Sequence, residues 1–212
     1  MTATLRPELV DRTLDSFQQN MTNFDMKSST LYINVYPAPS NSSIKPREVV
    51  DVARKYFGVV LENIPEQPNF CSAIKWLWDQ GDGYILHFED DWELFLTVDL
   101  QVMLAIIQDK NLYQLRLTKY LKKSATKKYG LSPCLVDPLF RQIVSQNLDR
   151  TMNPERQLLN VHQWGLKNHC SETIEAYPKG QIVIRDIGRE WREDRGLNKH
   201  VDENHFITWN KQ

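Results

Sequence analysis

The chain has 212 residues, with 26 Lys and Arg against 27 Asp and Glu, for a formal charge of -1 at pH 7. A composition 41% hydrophobic and 25% charged excludes a disordered or fibrous chain, and the length suits one α/β domain with an elaborated end. Near-neutrality gives no overall pull toward nucleic acid or an anionic membrane, no apolar run reaches the ~18 residues of a membrane span, and the opening MTATLRPELVDR lacks the apolar stretch of a secretory leader.

In chain order, the first predicted element is a short strand, Thr2 to Leu5, broken at Arg6-Pro7. PELVDRTLDSF follows as a helix, with Leu9, Val10, Leu14 and Phe17 on one side, Pro7 in its first turn and Glu8 near its positive end. LYINVYP alternates Leu31, Ile33 and Val35 with Tyr32, Asn34 and Tyr36, the pattern of a strand. A helix runs from about Pro46 to Phe57, a short strand covers Val59 to Leu61, and NFCSAIKWLWDQ forms a third helix. The Gly81-Asp82-Gly83 turn delivers YILHF, the strongest strand pattern, which ends in Glu89-Asp90-Asp91.

This alternation predicts a mostly parallel sheet with helices on both faces. Ligands of such sheets sit outside the carboxyl ends of the strands. The loop after Leu5, the loop after Tyr36 and the acids after Phe88 all fall on that edge. In the second half, Thr97 to Asp109 reads as a helix, residues 112–118 as a strand and KYLKKSATKK as a polar connector. Helices are expected from Pro138 and near Asn153-Pro154, and residues 181–188 read as a late strand. The tail from Arg189 has mixed charge and no period, and no break marks a second domain. One domain over 1–212 is expected.

Three consecutive carboxylates after an apolar run carry a cost in desolvation and like-charge repulsion. A hard divalent cation offsets that cost, because Mg²⁺ and Mn²⁺ favour oxygen ligands, and it can hold a diphosphate. An exposed acidic turn is the alternative reading. The three cysteines, Cys71, Cys134 and Cys170, are odd in number and far apart, which fits a reducing compartment and gives no zinc spacing. His162 and His169 lack a third ligand at structural-zinc spacing, and His87 reads as an internal histidine.

The chain resembles GT-A-type nucleotide-sugar glycosyltransferases, loosely of the large family 2 kind. TATLRPELVDRTLDSF resembles their first strand and helix, LYINVYP the next strand, and NFCSAIKWLWDQGDGYILHFEDDWEL the helix and strand leading to the metal-binding acid motif. LSPCLVDPLFRQIVSQNLDRTMNPERQL resembles the acceptor-side region, and VIRDIGREW the late strand and loop that complete the metal site. The aspartate that relatives often carry after the second strand is not evident in YPAPSNSS.

The resemblance spans about residues 2–190 and implies a Rossmann-like sheet with a nucleotide-sugar half (1–95) and an acceptor half (96–212). It implies Asp91 as chief ligand of Mn²⁺ or Mg²⁺, with Asp186 where relatives place a histidine. Thr4, Arg6, Asn69, Glu89 and Asp90 fall on the donor side, and Glu155 is the base for an acceptor hydroxyl. Each has a structural alternative: a surface pair with Glu8 or Asp11 for Arg6, a helix cap for Asn69, and a favourable first-turn acid for Glu155.

The lysines at 119, 122, 123, 127 and 128, and the arginines at 185, 189, 192 and 195 with Lys199, are solvated faces or contacts to phosphate. The implied acceptor is a glycan, a small molecule or a hydroxylated DNA base, the last because some viral relatives modify DNA. The expected reaction is inverting sugar transfer in the cytoplasm, a host's if the chain is viral. Metal-assisted phosphoryl or nucleotidyl transfer, and a non-catalytic binding protein of the same fold, are the alternatives.

Overall fold

The computed structural model describes every residue except 39–41, 68, 121–128, 167–173, 202–206 and 212. Three parallel strands, β1 (Thr2–Ala3), β3 (Thr30–Val35) and β4 (Val59–Asn63), pair in the order β1-β3-β4. A second sheet has the order β10-β8-β9-β5, from β5 (Ile85–His87), β8 (Gln114–Leu117), β9 (Cys134–Val136) and β10 (Ile174–Tyr177). β9 runs antiparallel to both neighbours, while β10 is parallel to β8.

The chain after β5 fuses the two sheets. Thr2 and Glu89 form a parallel bridge, Thr2 N–H donates to Phe88 O (3.3 Å) and Asp90 N–H donates to Thr2 O (3.0 Å). The order across the fused surface is β4-β3-β1-β5-β9-β8-β10. A two-residue central strand is sufficient because both of its edges are paired: Tyr36 N–H reaches Ala3 O at 2.7 Å on the other side.

Helices cover both faces, as the alternating pattern requires. α1 (Pro7–Asn20), α2 (Pro46–Tyr56) and α4 (Leu100–Asp109) set Val10, Leu14, Phe17, Val49, Ala53 and Met103 into a core with Leu31, Ile33 and Val35 of β3. Phe17 stacks on Phe88 at 4.9 Å between ring centres, a contact of about 0.5–1.5 kcal/mol beyond its burial. On the other face, α3 (Phe70–Trp78), α5 (Pro138–Asn147) and the short α6 (Pro154–Leu158) pack Ile74, Trp78, Phe140, Val144 and Leu158 with Cys134 and Val136 of β9.

Side-chain caps set the starts of several helices. Asn69, Asp99, Asp137 and Asn153 accept backbone N–H groups of α3, α4, α5 and α6, each worth about 1 kcal/mol. The cap at Asp99 explains why α4 opens at Leu100 and not at Thr97: Val98 and Asp99 form the two-residue β7, paired with β2 (Met21–Thr22).

The late strand expected at 181–188 lies outside the main sheet. Its centre, β11 (Ile184–Asp186), pairs antiparallel with β6 (Trp92–Leu94) in a separate ribbon. The edge of β8 is filled by β10. The tail forms α7 (Gly188–Glu193) and a hairpin of β12 (Leu197–Val201) and β13 (Ile207–Lys211). Among the described residues, no helix is long and apolar enough to cross a membrane.

Candidate functional site

The acid turn between β5 and β6 is bonded to the loop after β1. Asp90 accepts Thr4 N–H (2.9 Å) and Thr4 Oγ1–H (3.0 Å) on Oδ2, and Arg6 Nη2–H (2.6 Å) on Oδ1. Arg6 Nε donates to Thr4 Oγ1 at 2.6 Å, and Arg6 Nη2 also reaches Asp91 Oδ2 at 3.1 Å. Arg6 and Asp90 are each only 3% exposed. Helix α1 fixes the same turn, since Thr13 Oγ1 donates to Asp90 O (2.8 Å) and Ser16 Oγ accepts Leu94 N–H (3.0 Å).

The surface pair foreseen for Arg6 is therefore replaced by a buried one. Glu8 instead accepts from Trp191 Nε1 (2.7 Å) and meets Arg195, and Asp11 meets Lys55. Burial works against the Arg6 charge, but Asp90 and Asp91 outweigh it and hold its pKa above the ordinary value. The Trp191 ring lies 5.6 Å from the guanidinium and closes that side.

Asp91 and Asp186 approach from the paired strands β6 and β11. Asp186 is the register partner of Trp92, and Ile187 N–H donates to Asp91 O at 2.9 Å. Gly188 packs so tightly against Asp91 that an added Cβ would lie 2.8 Å from the Asp91 Cβ and 2.9 Å from its Cγ. Asp186 Oδ1 accepts Gly188 N–H (3.0 Å) and Arg189 N–H (3.2 Å), which starts α7.

These carboxyls are electrostatically stressed. Burial first, then the charge of Asp90, pushes Asp91 up to about 6; Arg6 opposes the shift and Asp186 adds to it. Burial, then Asp91, raises Glu89 to about 8 with further contributions from Glu155 and Asp90, against a 3.0 Å hydrogen bond from Trp92 Nε1. A divalent cation fits such a donor set. Among the described residues no group of three or more His, Cys, Asp or Glu side chains is placed to hold a metal ion.

A pH prediction follows from Glu89. Between its ordinary value of 4.5 and about 8 the folded chain binds more protons there than the unfolded chain, so this group lowers stability as pH rises through that window. Glu89→Gln should therefore gain stability over the parent from pH 4.5 to 8 and level off above. The gain should exceed about 1 kcal/mol, roughly 2–4 °C in a chain of this size. A parallel pair of melting-point curves across that range would refute the assignment.

Glu155 lies in the first turn of α6, exposed, with the helix capped by Asn153. Its charge acts on Glu89, Arg116 and Lys119, which places it on the Glu89 side of the group. Asn69 does not join the acids among its described contacts. Its Oδ1 caps α3 at Ser72 N–H (2.7 Å) and its Nδ2 donates to Arg150 O (3.0 Å), tying α3 to the loop before α6.

Two basic residues lie near the acid turn: Lys119, one of the lysines read from the sequence as a solvated face or a phosphate contact, and Arg116, which the sequence reading did not single out. Arg116 is 9% exposed in β8, and Lys119 follows that strand. The signal was present in LYQLRLT, since an arginine inside an otherwise apolar run demands a specific partner. Lysines 122, 123, 127 and 128, with His169, Cys170 and His205, lie outside the described residues. A cavity of about 310 Å³ is lined by Phe24, Leu31, Phe57, Tyr84, Leu86 and Leu104, and His87 and Phe88 of the strand that leads into the acid turn also border it. No protein-family model matches the chain, and no curated protein matches it at a significant level.

Proposed function

We propose that the chain is a metal-dependent glycosyltransferase of GT-A type that moves a sugar from a nucleotide-sugar to an acceptor hydroxyl with inversion. The observation that carries this reading is the bonding of the acid turn to the first loop through Asp90, Thr4 and Arg6 at the carboxyl edge. The mixed sheet, whose acid-bearing strand end leads into the small β6-β11 ribbon, supports the GT-A resemblance. Residues 1–95 then form the donor half and 96–212 the acceptor half of one domain.

Asp91 and Asp186 would hold Mn²⁺ or Mg²⁺, which supplies positive charge against the departing diphosphate. Thr4, Arg6 and Asp90 keep the loop and the acid turn in register, so that Asp91 and Glu89 face the donor from fixed positions. Asn69 anchors α3 beside the acceptor-side loop. Glu155, on a capped helix start, takes the proton from the attacking hydroxyl. The acceptor is a glycan, a small molecule or a hydroxylated DNA base. With Glu155 as the base, one displacement at the anomeric carbon follows.

Nucleoside diphosphates should raise the melting temperature only when Mn²⁺ is present. Ligand at a hundredfold over its Kd stabilises by about 2.7 kcal/mol. Asp91→Asn should abolish the metal-dependent part. A shift that is the same without metal, or unchanged in the variant, removes the reading. Cleavage of the donor's diphosphate linkage into a nucleoside monophosphate and a sugar 1-phosphate would point to phosphoryl or nucleotidyl transfer instead.

A further inference from the structure

We infer that Arg116, Lys119 and Ser132 form a phosphate-binding subsite for the acceptor, an inference that rests on the sugar-transfer reading and specifies its second substrate. The subsite is built from buried parts. Arg116 donates from Nε (3.2 Å) and Nη2 (2.5 Å) to Ser132 Oγ, and Ser132 is itself 3% exposed. Gly130 backs the guanidinium, since a Cβ there would stand 3.4 Å from Nη2.

Lys119 is half-buried, with its ammonium 4.9 Å from the centre of the Trp92 ring and 5.5 Å from that of Tyr120. Among the described residues it has no carboxylate within ion-pair distance. The rings orient the ammonium but cannot neutralise it. Trp92 bonds Glu89 through Nε1 (3.0 Å), so one indole holds the lysine beside the acid turn.

The two halves of the site are charged differently. Arg6 is paired with Asp90 and Asp91 and belongs to the metal side. Arg116 and Lys119 feel Glu155, the group facing the acceptor, and burial together with their mutual repulsion (for Lys119) disfavours their charges. An anion bound there relieves that repulsion. A tetrahedral phosphate suits a guanidinium backed by a hydroxyl, with an ammonium just beyond the end of the same strand. The phosphate is a monoester on a small acceptor or a diester of a nucleic acid strand carrying the acceptor hydroxyl.

The test measures binding by calorimetry with three probes: inorganic phosphate, a short single-stranded DNA oligonucleotide, and a nucleoside diphosphate with Mn²⁺. Phosphate should bind the parent and bind Lys119→Met at least tenfold more weakly. Retained diphosphate–Mn²⁺ binding shows that the variant is folded and that the subsite is separate from the donor. Arg116→Lys, which keeps the charge but loses the fork, should weaken phosphate as well. Tighter, salt-sensitive binding of the oligonucleotide identifies a diester source, and binding of phosphate alone a monoester. Absence of phosphate binding in the parent overturns the inference, as does loss of diphosphate–Mn²⁺ binding in Lys119→Met with phosphate binding intact. Failure of diphosphate–Mn²⁺ binding in the parent counts against sugar transfer and leaves the phosphate result to stand or fall by itself.

Discussion

Asp90→Ala should lower the unfolding free energy by about 3–5 kcal/mol, the range for removing one partner of a buried ion pair. The loss is large because the carboxylate accepts from three donors at once: Thr4 N–H, Thr4 Oγ1 and Arg6 Nη2. Alanine removes the nearer carboxylate from a guanidinium that is 3% exposed, leaving Asp91, whose side chain is 21% exposed, at 3.1 Å. Domain stabilities are about 5–15 kcal/mol, so the variant should sit near the edge of folding. Asp90→Asn keeps an acceptor oxygen and should lose less. Adding Arg6→Met to Asp90→Ala should recover part of the loss, because the buried charge is then gone. Urea melts of the parent, both Asp90 variants, Arg6→Met and the double variant decide the matter. A cost for Asp90→Ala below about 1 kcal/mol, or strict additivity with Arg6→Met, would mean that the pair does not hold the loop to the acid turn.

The same pair shows what could be read before the structure. The Glu89-Asp90-Asp91 run after YILHF, and Arg6 in the turn after the first strand, were both visible as chemistry at a carboxyl edge. That they bond to each other was not, because it depends on the bridge between Thr2 and Glu89, a pairing between residues far apart in sequence. The parallel half was legible because β3 alternates and its neighbours are helices with clear periods. β9 was not, since Cys134, Leu135 and Val136 are all buried and a three-residue apolar run before Asp137-Pro138 has no period to reveal it. The ribbon of β6 and β11 went unseen for a related reason: three-residue strands flanked by charges look like loops until a partner is known. Asn69 offered one signal for two roles, a cap and a ligand contact, and the geometry gives the cap.

Glu155→Gln should reduce sugar transfer by roughly 10²–10⁴-fold, the range for loss of a positioned general base, while leaving the fold almost untouched. The residue is exposed in the first turn of α6, where a carboxylate contributes about 0.3–1 kcal/mol through the helix dipole. Glutamine has the same shape and still accepts hydrogen bonds from an acceptor hydroxyl, but it cannot take the proton. Acceptor binding should therefore survive and the loss should fall on kcat. Donor binding, measured as the Mn²⁺-dependent thermal shift with a nucleoside diphosphate, should be unchanged because Asp91 and Asp186 are intact. A purely structural role predicts the same small loss of stability but turnover near the parent value. Glu89 is the other carboxyl within electrostatic reach of this position. If Glu155→Gln retains transfer within tenfold while Glu89→Gln loses it, the proton is taken at the acid turn and α6 serves only to position the acceptor.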